Sequence, residues 1–182
     1  ENISNGEYLD LVNYQMESFL AIEPYRSMRD YFNVYVTFPL SQERGVNTMY
    51  TYVNNHFGTL SHGPGQGLVA EYDDLVSYAI EKTPTKDENA WRSLFILTPN
   101  STDYTGQSVI DYNGNIGIAI CPPQETPYPR DTRGTVQHEA GGHAFGKLGD
   151  ETIVRNAFAP NEVRRYVEKM HGYGWFQNLA NL

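Results

Sequence analysis

Two histidines five residues apart set the tightest constraint on how this chain folds. His138 and His143 stand in the segment TVQHEAGGHAFGKLGDE, residues 135–151, with Glu139 beside the first and Gly141-Gly142 before the second. A regular α-helix advances about 100° per residue, so a separation of five leaves the two side chains roughly 140° apart. A single π-bulge absorbs the extra residue and restores a shared face, and such bulges concentrate at functional sites. Adjacent glycines supply the backbone freedom for it. The segment therefore predicts a helix capped by Asp131 or Thr132 and running to about Lys147, with a bulge at residues 140–142. The bland alternatives are a plain helix with an unrelated histidine pair and a helix broken at the glycines.

The residue types in the segment suit a metal. Neutral imidazole nitrogens and carboxylates are zinc ligands, and a catalytic zinc site keeps one position open for water. In the familiar His-Glu-x-x-His helix the histidines lie four apart. This segment departs from that pattern by one residue.

Upstream, residues 8–20 (YLDLVNYQMESFL) carry apolar side chains at helical spacing, with Leu9, Val12, Met16, Phe19 and Leu20 expected on one face. Pro24 ends that element, and a short helical turn is expected around residues 25–30. FNVYVTF (32–38) reads as a strand, 41–67 as loop, and EYDDLVSYAIE (71–81) as an amphipathic helix with Leu75, Tyr78 and Ala79 inward. SLFILT (93–98) reads as a buried central strand. Residues 108–112 and 115–120, joined by Asn113-Gly114, read as a β-hairpin. Four prolines between 122 and 129 make an extended loop before the histidine helix. A helix between two strands implies a parallel pair, to which the hairpin adds antiparallel strands at an edge.

Charge narrows the partners. With 13 basic and 22 acidic residues, the net charge is −9 and no Lys/Arg cluster is present to neutralise phosphates, which argues against nucleic acid. No apolar stretch is long enough to span a bilayer. The single cysteine, Cys121, admits no internal disulfide and ends an apolar run, so it reads as a small buried hydrophobe. The chain opens Glu-Asn-Ile-Ser and is read as a mature form or fragment whose targeting sequence lies outside it.

The string VQHEAGGHAFGKLGDE closely resembles the active-site signature of the IgA peptidase family of secreted bacterial zinc metallopeptidases, and its extra glycine looks like that of the family's Bacteroides-type members. IEPYRSMRDYFNVYV (22–36), NNHFGT (54–59), the run from SLFIL through NSTDYTG (93–106) and HGYGWFQN (171–178) are similar to its sequence too. The resemblance implies an α/β (α+β) fold with a zincin- or metzincin-like N-terminal subdomain. In it, a mixed, mostly parallel sheet with an antiparallel edge hairpin packs on helices. It implies one catalytic domain over 1–182, with an upper subdomain 1–149 and the start of a lower subdomain at 150–182. The family's lower subdomain includes a Met-containing turn that no segment here matches, since Met170 comes too soon.

Carried over position by position, the resemblance makes His138 and His143 zinc ligands and Glu139 the catalytic glutamate. Asp150 is the expected third ligand, and Glu151 is the alternative, as ligand or as a partner behind one. Gly146 is expected to let the chain turn sharply and return the acid to the metal. The implied reaction is hydrolysis of a protein or peptide substrate by a Zn2+ enzyme, secreted or at the cell surface or periplasm. Strand 115–120 is expected to be the edge to which substrate adds. The oligomeric state is left unknown. His56, His62 and His171 are read as surface, hydrogen-bonding or structural residues, and Arg130 and Arg133 as solvated charges. The rival from another class is a non-catalytic surface protein that uses the scaffold to bind host protein or glycan, and an intact Glu139 argues against it. A closed, four-ligand structural zinc site is the third possibility.

Overall fold

The structure, a computed structural model, describes residues 6–63, 67–84, 93–99, 101–102, 104–112 and 116–148. The chain divides into two compact units, Glu1–Gly146 and Lys147–Leu182. Every element described below belongs to the first.

That unit is mixed α/β. Helix α1 (Glu7–Leu20) is followed by a 3-10 turn at Arg29–Tyr31. Strand β1 (Leu60–Ser61), inside the stretch 41–67 expected to be loop-rich, pairs antiparallel with β2 (Leu68–Val69) just beyond it. Helix α2 (Tyr72–Lys82) precedes strands β3 (Leu94–Leu97), β4 (Gln107–Tyr112) and β5 (Ile116–Ile120). One α-helical turn, α3 (Thr132–Thr135), then runs directly into a π-helix, Val136–Phe145. No helix among the described residues is long and apolar enough to cross a membrane.

The three-stranded sheet has the order β3-β5-β4. β5 pairs parallel with β3 and antiparallel with β4, so the sheet is mixed rather than mostly parallel. The hairpin register carries an irregularity between Val109 and Tyr112, and the Asn113-Gly114 turn lies outside the described residues. Ile116, Ile118, Ala119 and Ile120 of β5 are all buried. A strand covered on both faces loses polar-apolar alternation and reads as an unbroken apolar run. Ala119 and Cys121 face α1 and the π-helix, in a core with Phe19, Leu20, Val136, Ala140 and Ala144. Ile116 and Ile118 face Phe57 and the α2 residues Leu75 and Val76.

Three strand expectations are corrected. Residues 32–38 belong to no strand. β3 lies at the sheet edge and is only half-buried, whereas the run was expected to be central. β5, expected to be the edge, is the centre. Strand position depends on which partners arrive, and an apolar run of four to six residues does not encode that.

The buried face of α1 is also more polar than expected. Leu9 is exposed, while Gln15 and Ser18 are buried with Phe19 and Leu20. Burying an amide is tolerated only when it is hydrogen-bonded. Gln15 meets that condition by donating to the Cys121 carbonyl at 2.8 Å and accepting from the Thr98 hydroxyl, which ties α1 to the ends of β5 and β3.

Candidate metal centre

The helix bearing the histidines begins as predicted from one of its two candidate caps. The Asp131 carboxylate accepts from the Gly134 amide at 2.7 Å, which satisfies one of the donors a helix start leaves open. Gly134 is needed there, because a Cβ would run into the Pro129 carbonyl. The proline-rich loop is pinned to the same end by Thr132, whose hydroxyl accepts from the Gln124 amide at 2.7 Å.

Beyond Thr135 the helix is π throughout Val136–Phe145, a longer distortion than the expected bulge at 140–142. In a π-helix the hydrogen bond spans five residues, so side chains five apart stand one turn above the other on a shared face. The Nε2 atoms of His138 and His143 accordingly lie 3.2 Å apart, with ring planes at 87°. His138 is exposed and His143 is buried.

Neighbouring residues hold the π geometry. The Gly141 carbonyl accepts the Gly146 amide at 3.0 Å, a five-residue step, and also the Tyr25 hydroxyl. The ring of Tyr25 stacks on Phe19 and meets Phe145 edge-on at 5.5 Å. Burial raises the Tyr25 phenol above its ordinary pKa, which keeps it a donor. Of the two glycines, a Cβ at Gly141 would press on the Tyr25 ring at 3.2 Å, while one at Gly142 would meet only the Gln137 carbonyl at 3.8 Å.

The end of the helix corrects the role expected of Gly146. Its φ is −69°, and the left-handed residue is Lys147, at φ 58°. Gly146 is required instead by crowding, since a Cβ there would stand 2.6 Å from the Gly141 carbonyl.

Two further glycines position the site without having been singled out from the sequence. Gly117 of β5 lets the π-helix settle on the sheet: a Cβ there would lie 2.3 Å from the Ala144 carbonyl. Gly106, just before β4, leaves room for Glu139, whose Cγ would be 3.0 Å from an added Cβ. An isolated glycine within a strand pattern signals close backbone approach, and Gly117 carried that signal in IGIAI. Nothing in the spacing linked Gly106 to Glu139. Below the site, Cys121 is fully buried, and its thiol is pushed far above the usual range by burial and then by the charge of Glu139.

The remaining candidates fall as follows. Asp150, Glu151, His171 and Met170 lie outside the described residues. Among the described residues no third His, Cys, Asp or Glu joins His138 and His143. His56 engages the Leu40 carbonyl through Nδ1 at 3.2 Å and packs on Phe57 and Tyr78, as a hydrogen-bonding surface residue. His62 is exposed. Arg133 stacks over the Tyr128 ring at 4.3 Å and lies 3.8 Å from Asp131.

The pair fits a zinc ion. Two imidazole nitrogens bound at about 2.0–2.1 Å to one tetrahedral zinc stand about 3.3 Å apart. The observed 3.2 Å needs no rearrangement to match that separation. No known family model, curated protein or solved structure matches the chain. Fold and site together define a class: a mixed α/β unit whose π-helix presents two converging imidazoles beside a glutamate.

Proposed function

We propose that this chain is a zinc-dependent endopeptidase of the zincin kind. The observation that carries the reading is the convergence of His138 and His143 to 3.2 Å across a spacing that a regular helix would splay apart. The likeness of residues 136–151 to the IgA peptidase signature supports it from the side of sequence.

In this reading His138 and His143 hold the zinc with Asp150 or Glu151. A bound zinc supplies a Lewis acid that makes water a nucleophile near neutral pH and polarises the scissile carbonyl. Glu139, next in sequence to one ligand and given space by Gly106, takes the proton from the attacking water and delivers it to the leaving amine. Peptide substrate binds extended along the outer side of β4, the sheet edge that packs on the π-helix. The protein acts outside the cytoplasm, on a protein or peptide substrate.

Hydrolysis of an unstructured protein substrate by the zinc-loaded chain tests the reading. Glu139→Gln should retain the metal and lose at least about 100-fold in rate. Hydrolysis that survives both Glu139→Gln and a chelator would sink it.

A further inference from the structure

A cavity of about 370 Å³ lies away from the histidines, and neither His138 nor His143 lines it. It sits at the carboxyl end of β3, against Leu97, Thr98 and Pro99. Tyr8 of α1 and the segments 38–45 and 55–57 form the other walls, with Thr59 among them. Crevices at the carboxyl ends of parallel strands are where α/β sheets take up ligands, and this volume suits a small one.

The polar side chains of the cavity divide into those already bonded and those left over. The Ser41 hydroxyl accepts from the His56 amide at 3.0 Å, and Nδ1 of His56 meets the Leu40 carbonyl at 3.2 Å. The Glu43 carboxylate accepts from the Asn54 amide at 2.8 Å, and Gln42 accepts from the Asn54 side chain at 3.0 Å. The Asn55 side chain bonds both the amide and the carbonyl of Thr59, and Thr98 donates to Gln15. These bonds fix the wall before any ligand arrives. The donors left without a hydrogen-bond or ion-pair partner among the described residues are the Tyr8 phenol, the Arg44 guanidinium and the Thr59 hydroxyl. Thr59 is 5 % exposed, and a buried polar group is disfavoured unless something satisfies it. Burial, and after it Tyr78, raises the Tyr8 phenol above its ordinary pKa, so it keeps its proton and remains a donor.

We propose that this cavity binds a small monocarboxylate with an apolar body. Arg44 takes the carboxylate, and the Tyr8 and Thr59 hydroxyls donate to it. Charge-assisted bonds from a guanidinium fork are the strongest of this kind. One guanidinium answers one negative charge. Glu43 beside it, and the chain's net charge of −9, disfavour a phosphate or other dianion. The rest of the lining fits the body: Phe38, Pro39, Phe57, Leu97 and Pro99 are apolar, and Phe38 meets the Tyr8 ring edge-on at 5.8 Å. Aromatic walls of this kind favour a flat ring or a branched chain. The site is separate from the histidine pair, and its occupancy depends on neither a metal nor Glu139.

Titration of the full chain with phenylacetate, followed by amide NMR, tests this proposal. Saturable shifts are expected at Tyr8, Arg44 and Thr59, with a Kd of about 1 mM or tighter. Arg44→Gln, and separately the uncharged probe phenylacetamide, should each weaken binding about 10-fold or more. Thr59→Val keeps the side chain's shape and removes only the hydroxyl, so it should weaken binding while leaving stability unchanged or raised. His143→Ala should bind phenylacetate as the unaltered chain does. No saturable shift up to about 50 mM would overturn the proposal. So would phenylacetamide binding as tightly as phenylacetate, or an Arg44→Gln variant that keeps its fold and its affinity. Binding that disappears in His143→Ala, with shifts confined to residues 138–143, would overturn it as well and place the carboxylate at the metal centre.

Discussion

The carbonyl of Ala144 sits over Gly117 so closely that a single added methyl group would stand 2.3 Å from the oxygen. This contact joins the helix that carries the histidines to the central strand of the sheet, and both partners are backbone on the helix side and bare Cα on the strand side. It sets the depth at which the π-helix lies on the sheet, and with it the position of His143, one residue before Ala144.

Gly117→Ala should therefore destabilise the first unit by about 2–3 kcal/mol, the cost of overpacking where neither partner is a flexible side chain. Gly142→Ala should behave oppositely. Its Cβ has ordinary space, and replacing glycine in a helix interior gains about 0.5–1 kcal/mol. Urea denaturation of the two variants against the unaltered chain measures both effects. Equal losses at the two positions would contradict the packing described for them.

Tyr25→Phe keeps the ring that stacks on Phe19 and removes only the hydroxyl bonded to the Gly141 carbonyl. The expected loss is about 1 kcal/mol, because that carbonyl still accepts from the Gly146 amide. If the tyrosine helps hold the π geometry, the same variant also binds zinc more weakly than the unaltered chain. A variant with unchanged stability would remove Tyr25 from the account.

Cys121 supplies a pH-dependent prediction. Its folded-state pKa is raised from an ordinary value of 9.0, by burial first and Glu139 second, so the folded chain holds the neutral thiol. A thiol reagent at pH 8 should leave it untouched until the protein unfolds. The stabilising contribution is complete below pH 9. It declines as the pH rises above that value, where only the unfolded chain gives up the proton. Rapid labelling of the native protein at pH 8 would contradict the placement of Cys121 under the site.

Much of this arrangement was legible before any coordinates. A five-residue step from one histidine to the next, together with Gly141-Gly142, excluded a regular helix for any shared face, and the structure answers with a π-helix, although one of ten residues rather than a local bulge. Asp131 was one of two candidate caps, and α2 keeps its expected bounds to within a residue, although Val76 is buried beside Leu75 while Tyr78 and Ala79 are only half-buried. Strand order was not legible. SLFIL and IGIAI are both short apolar runs, and only the arrival of β4 on one side of β5 makes the second central. The inward face of α1 differs from its pattern at Leu9 and Gln15, because a buried amide depends on a donor at Thr98 and an acceptor at Cys121, over eighty residues away in sequence. Gly106 was missed for the same reason: its role exists only once Glu139 folds over it.

The central claim is that His138 and His143 converge to hold one metal ion. Elemental analysis of the gently purified chain, alongside His143→Ala, tests it most directly. The account predicts about one zinc per chain, lost in the variant. No zinc in the unaltered chain after addition of the metal at neutral pH, or an equal content in both proteins, would contradict it.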